Sequence, residues 1–236
     1  MNYSTIIFDL FGTLVNDFSS VAGHTHDKLA EILGVPRESF MKQWREITAR
    51  RTLGEFQTVE SSIEYVCNAL GVTVNAEQMI KAVEFRLEYT RRALVPKPDA
   101  VATLEKLRKE GLKLGLLSNC SIEIPILWPE TELAGLIESP IFSSRERLKK
   151  PDPRIYQIAC ERLSVAPKDC LYIADGENHE LKAAAAFGMN PVLIRPKSHG
   201  PRGDLRQEAR EWQGATISSL TEVLVLINTT ISAKPS

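Results

Sequence analysis

The sequence predicts an α/β fold in which a parallel sheet, covered by helices on both faces, is interrupted by one inserted helical segment. Three observations predict it. Runs such as Leu114-Gly115-Leu116-Leu117 and Leu171-Tyr172-Ile173-Ala174 are apolar throughout, as strands buried on two sides must be. From Pro96-Lys97-Pro98 onward such runs alternate with helical patterns, the mark of parallel strands joined by crossover helices. Between Phe18 and Leu94 no convincing strand occurs.

Residues Thr5 to Asp9 read as a buried strand that ends in an acid and then turns at Gly12. The segment that follows carries apolar residues at helical spacing, for example Leu29, Ile32, Leu33 and Ile63, Val66, Cys67, Leu70. Punctuation at Gly34-Val35-Pro36, Gly54 and Gly71 divides it into about four helices. Beyond Pro98 the order is helix Asp99 to Glu110, strand Lys113 to Leu117, a helical or irregular stretch to Leu136, and a short strand near Pro140 to Phe142. Then come helix Pro153 to Leu163, strand Cys170 to Ala174, helix Asn178 to Phe187, strand Pro191 to Ile194, and a weaker strand-helix pair from Ala215 to Ile227. The expected architecture is thus a Rossmann-like parallel core of residues 1–16 and 97–236 with a helical cap of residues 17–96. Hinges near Val15-Asn16 and Pro96-Pro98 would let the cap close. Ser232 to Ser236 reads as a loose tail.

Composition narrows the partners. A net charge of -1 over 236 residues leaves no polybasic footprint for nucleic acid or a membrane surface, and the apolar start Ile6 to Leu14 is too short to span a bilayer. The four cysteines, Cys67, Cys120, Cys160 and Cys170, lack zinc or disulfide-framework spacing, which suits reduced thiols in a cytoplasmic protein. A small-molecule substrate is expected; oligomeric state is left open.

Ligands of open α/β sheets bind beyond the carboxyl ends of the strands, so the polar residues there belong together. They are Asp9, Ser118-Asn119, Lys150, and Asp175 with Glu180. At these positions the chain resembles the haloacid dehalogenase-like hydrolases, through Phe8-Asp9-Leu10-Phe11-Gly12-Thr13-Leu14, Leu117-Ser118-Asn119, Lys150-Pro151-Asp152-Pro153-Arg154-Ile155-Tyr156, and Ala174-Asp175-Gly176-Glu177-Asn178-His179-Glu180. All four motifs stand in the family's order, with a helical cap in the expected gap. The resemblance implies a hydrolase in which Asp9 attacks the substrate and forms a covalent intermediate that water resolves. In the phosphatases of that family Ser118 and Lys150 would bind phosphoryl oxygens, with Asn119 beside them. Asp9, Asp175, the backbone carbonyl of Phe11 and Glu180 would hold Mg²⁺.

Phe11 departs from the phosphatase pattern, which places a second Asp two residues after the nucleophile to protonate the leaving group. An aromatic there is similar to the family's dehalogenases, whose halide leaves without a proton. Against this, the family's dehalogenases need no metal and typically carry an uncharged residue where this chain has Asp175, and Asp9, Asp175 and Glu180 crowd three carboxylates with only Lys150 to offset them, which favours a divalent cation. The reading at this point is a Mg²⁺-dependent phosphatase using an aspartyl-phosphate intermediate, with 2-haloacid dehalogenation as the alternative and a weakly active or binding-only protein as a third.

Other residues have plainer readings. Gly12 allows the turn after Asp9, and Thr13 holds the loop through a local hydrogen bond. The Phe11 ring is expected on or beneath the cavity floor. Glu180 is readable either as a metal-shell acid or as a first-turn acid matched to its helix dipole. Lys149 and His179 read as surface groups, and His24 and His26 as residues of a solvated turn. Arg45, Arg50 and Arg51 either face the cleft toward an anionic substrate or sit on a helix surface, the latter being the commoner case.

Overall fold

The computed structural model describes residues 3–18, 25–195 and 206–231; of residues 25, 26 and 228–231 only the backbone is described. His24 and the tail from Ser232 therefore lie outside the described residues. In chain order the described elements are strand β1 (Thr5–Phe8), helices α1 (Thr25–Leu33), α2 (Arg37–Glu46), α3 (Thr48–Thr52), α4 (Val59–Ala69), α5 (Ala76–Ala93) and α6 (Ala100–Lys109), then β2 (Lys113–Ser118) and α7 (Glu123–Leu127). They continue with β3 (Ser139–Phe142), α8 (Ser143–Glu146), α9 (Pro153–Leu163), β4 (Cys170–Ala174), α10 (Glu180–Ala186), β5 (Asn190–Ile194), α11 (Gln207–Glu211), β6 (Thr216–Ile217) and α12 (Glu222–Ile231).

Six parallel strands form one sheet in the order β3-β2-β1-β4-β5-β6. β1 is central, with Ile6, Ile7 and Phe8 fully buried. Burial of such side chains contributes about 1.5–3 kcal/mol each. Alternation along β1 sends Ile6 and Phe8 into one apolar cluster and Ile7 into the other, so each face of the sheet has its own core. A third cluster, built around Leu33, Phe40, Trp44, Ile63 and Val66, lies within the inserted helices. No helix among the described residues is long and apolar enough to cross a membrane.

Local chemistry explains the helix limits. Thr58 and Ser61 form a reciprocal capping box ahead of α4, and Asn75 and Gln78 do the same ahead of α5. Asp152 accepts the Arg154 N–H at the start of α9, where Pro153 has no N–H to satisfy. Two expectations change. The insertion holds five helices among the described residues, not about four, because the backbone departs from helical geometry at Ile47 between α2 and α3. The helix expected from Asn178 begins instead at Glu180, since Asn178 and His179 adopt left-handed backbone (φ 56° and 58°) in a short 3₁₀ turn.

The insertion leaves and re-enters the sheet domain at adjacent points. Val15 bridges to Pro96, and the Lys97 N–H donates to the Leu14 carbonyl at 2.9 Å. Farther out, Gly54 (φ +67°) approaches the Ser144 backbone so closely that a Cβ would stand 1.8 Å from its carbonyl oxygen. Ser143 Oγ donates to the Thr52 carbonyl at 2.7 Å in the same seam.

Candidate active site

The carboxyl ends of β1, β2 and β4 converge, and each delivers its polar residue one or two positions after the last apolar one. Asp9 follows β1 and is still tied to the sheet, its N–H donating to the Ile173 carbonyl at 2.9 Å. Thr13 Oγ1 donates to Asp9 Oδ2 at 3.1 Å, so the loop threonine orients the carboxylate. Lys150 Nζ donates to Asp9 Oδ1 and to Glu180 Oε2, both at 2.5 Å. Glu180 also accepts from Tyr172 Oη at 2.7 Å and from the Glu177 N–H at 3.1 Å. Asp175 lies alongside, and one oxygen from each of Asp9, Asp175 and Glu180 falls within 4.8 Å of the others. Glu180 thus stands at the first turn of α10 and also reaches the shared site.

Gly12 has a second reason to be glycine beyond its φ of +77°: a Cβ there would lie 1.7 Å from Asp175 Oδ2. Asn119 is engaged with the backbone of Lys150, donating to its carbonyl at 3.0 Å and accepting its N–H at 2.8 Å. That clamp sets where the lysine begins. Ser118 Oγ is buried with no oxygen or nitrogen hydrogen-bond partner among the described residues, and it lies against the Cys120 thiol.

Burial raises the Asp175 carboxyl well above the usual carboxylate range, Asp9 and Glu180 adding to the effect. Burial likewise pushes Glu180 up to about 7, against the opposing pull of Lys150. Desolvation alone would lower Lys150, yet the carboxylates of Asp9 and Glu180 hold it above its ordinary value, so it is firmly cationic.

Sequence reasoning missed a second cation. Arg206 Nη1 stands 2.8 Å from Asp175 Oδ2, and Arg206 Nη2 pairs with Asp17 at 2.5 Å. The three carboxylates therefore face two cations, Lys150 and Arg206. Arg206 is shared with Asp17, so it brings a further carboxylate with it and the excess of acid over base that favours a cation persists. The donor set remains all oxygen, as Mg²⁺ prefers, and Asp175 Oδ2 makes no hydrogen bond despite its ion pair. Nothing local in the sequence around Arg206 signals its role. Tyr172 and Tyr156, whose Oη atoms support Glu180 from below, were also passed over, although both stand in the strand and motif already singled out.

A cavity of about 1090 Å³ opens beside these groups, between the inserted helices and the strand ends. Phe11 lies in its wall with its ring edge-on to Phe18 at 5.4 Å, and Asn119, Glu177 and Arg206 border it on the sheet side. The surface reading is corrected for Arg51, which is buried and lines the cavity; Arg45, exposed, and Lys149, half-buried, stand at the cavity's rim. Arg50 does not; it pairs with Glu55 at 2.6 Å and covers the Tyr65 ring. His179 is exposed.

A family model described as haloacid dehalogenase-like hydrolase matches residues 3–188. The chain is 29% identical over 205 residues to (S)-2-haloacid dehalogenase 4A of Burkholderia cepacia, covering 83% of this chain and 84% of that one. It is 27% identical over 201 residues to a phosphatase of Mycobacterium tuberculosis (strain CDC 1551 / Oshkosh), covering 82% and 88%. Among solved structures, an L-2-haloacid dehalogenase matches with a TM-score of 0.65 at 27% identity, over 98% of this chain and 100% of that chain. The L-2-haloacid dehalogenase of Xanthobacter autotrophicus with chloropropionic acid covalently bound matches with a TM-score of 0.65 at 20% identity, over 96% and 98%, a likeness of fold alone.

Proposed function

The chain belongs to the haloacid dehalogenase-like hydrolase family, and from that premise we propose that it hydrolyses the carbon–halogen bond of 2-halogenated carboxylic acids, with Asp9 as the nucleophile. The observation that carries this reading is Phe11. A half-buried ring in the cavity wall stands where a phosphatase needs its proton donor. General acid help of that kind contributes about 10²- to 10⁴-fold, which an alkoxide leaving group needs and a halide does not. The similarity to (S)-2-haloacid dehalogenases over 83% and 80% of the chain supports the same choice.

In this reading one Asp9 oxygen attacks C2; the new O–C bond forms as the carbon–halogen bond breaks, and the halide departs with the bonding pair. Thr13 and Lys150 hold the attacking carboxylate in one orientation, which is the main entropic contribution of the site. Water then adds to Asp9 Cγ, the ester bond breaks at Cγ, and a 2-hydroxy acid leaves while Asp9 is restored. Glu180, with its carboxyl near 7, is the neighbouring group able to take the water's proton at neutral pH and to return it to the alkoxide oxygen as the ester bond breaks.

One observation favours a second reading, a Mg²⁺-dependent phosphatase of a small phosphorylated metabolite. Asp9, Asp175 and Glu180, with the Phe11 carbonyl, would hold the ion, which would supply charge neutralisation at a phosphoryl group. The two readings separate in one pair of assays. Halide release from 2-chloropropanoate and longer 2-halo acids in the presence of chelator is the expected activity. Phosphate release from phosphate esters that requires Mg²⁺, with no halide release under any condition, would replace the first reading by the second.

A further inference from the structure

The cap side of the cavity carries a buried charge imbalance that the reaction above does not use. Arg51 of α3 and Arg86 of α5 both face Glu123 of α7, and all three are buried, Arg51 only 8% exposed. Arg86 Nε donates to Glu123 Oε1 at 2.7 Å, which joins cap to core. Two arginines and one glutamate leave one positive charge unmatched. The shortfall falls on Arg51: its Nε and Nη1 have no hydrogen-bond partner among the described residues, and Nη2 has only a long contact of 3.4 Å to Ser121 Oγ.

The guanidinium is packed over the Trp44 ring at 4.2 Å, which fixes its plane without satisfying its N–H groups. Burial lowers its proton affinity to about 10, with Arg86 adding to the effect and Glu123 opposing it. Buried N–H groups without acceptors are costly, and a charged guanidinium more so. An oxyanion entering the cavity would supply both the acceptors and the charge. The cavity is also large. At about 1090 Å³ it exceeds the range of roughly 300–1,000 Å³ that holds drug-sized ligands, and its apolar wall includes Phe11, Phe18 and Ile124.

Resting on Asp9 as the reacting group, we infer that Arg51 is the specificity residue for the substrate's acid group, and that the substrate is an organic acid with an apolar body larger than that of a two- or three-carbon acid. The test uses acids with no halogen, so that binding is read without any turnover. Wild-type protein is titrated calorimetrically with unbranched acids from propanoate to octanoate and with their primary amides. Acids should bind about tenfold or more tightly than the amides, since only the carboxylate brings charge-assisted acceptors to the guanidinium. Affinity should rise toward octanoate.

Arg51→Met, which keeps the side-chain bulk and removes the unmet donors, should erase the preference for acid over amide. Arg51→Lys should restore part of it, and thermal melts of both variants check that the fold persists. An acid preference undiminished in Arg51→Met, or no acid binding in wild type, overturns the assignment of Arg51. Equal affinity along the series overturns the size of the substrate. Because the probes carry no leaving group, an absence of halide release in the earlier assay leaves this outcome untouched.

Discussion

Lys150 is held by its backbone through Asn119 and by its ammonium through Asp9 and Glu180, so four residues distant in sequence share one rigid arrangement. Gly12 is the point at which that arrangement has least slack. A methyl group in its place would meet Asp175 Oδ2 at 1.7 Å, in a backbone conformation at φ +77° that side-chain-bearing residues avoid. Gly12→Ala is therefore expected to cost about 1–3 kcal/mol of stability and to lower halide release by tenfold or more, since about 1 Å of misplacement is enough for losses of that order. Urea unfolding and steady-state halide release together check it. Unchanged values in both would mean that Asp175 does not need to lie where it does.

At the scale of elements, the seam between inserted helices and sheet is polar and specific: Arg86 to Glu123, Ser143 to Thr52, Gly54 against Ser144. Glu123 is the group whose pH behaviour reports on it. Burial would raise its carboxyl, but Arg86 and Arg51 outweigh that and hold it at about 2, below the ordinary 4.5. A carboxyl depressed in the folded state contributes stability that is fully present above the unfolded value and is lost as pH falls toward the folded one. Between about pH 5 and about pH 3, wild-type protein should lose stability more steeply than Glu123→Gln, whose side chain does not titrate. Urea midpoints across that range measure it, and parallel curves would remove Glu123 from the seam. This pairing was not legible beforehand, because α5 and α7 are joined only through tertiary packing. The strands were legible because burial on both faces leaves uninterrupted apolar runs. The start of α10 was not, since nothing in Asn178-His179 announces left-handed backbone.

For the whole molecule, the sequence placed Asp9, Lys150, Asp175 and Glu180 at strand ends by a rule of topology, and those ends do converge. What topology could not supply was the environment. Arg206 reaches Asp175 and Asp17 from far along the chain, and Arg51 turns inward toward the cavity, where its helix position alone suggested solvent. Both additions are cationic, and both alter the chemistry. One ties Asp175 to Asp17 across the site; the other leaves an unmatched charge facing the substrate space. Neither cation separates phosphate esters from halogenated acids; Phe11 is the residue on which that choice rests. The central claim is that Asp9 itself carries the substrate. It is tested by a single turnover in ¹⁸O-labelled water, with protein in excess over a 2-halo acid. The account predicts a 2-hydroxy acid without heavy oxygen and a gain of about 2 Da in the peptide containing Asp9, because water attacks Cγ of the ester. Heavy oxygen in the product and none in Asp9 would mean direct attack by water on C2, and would contradict it.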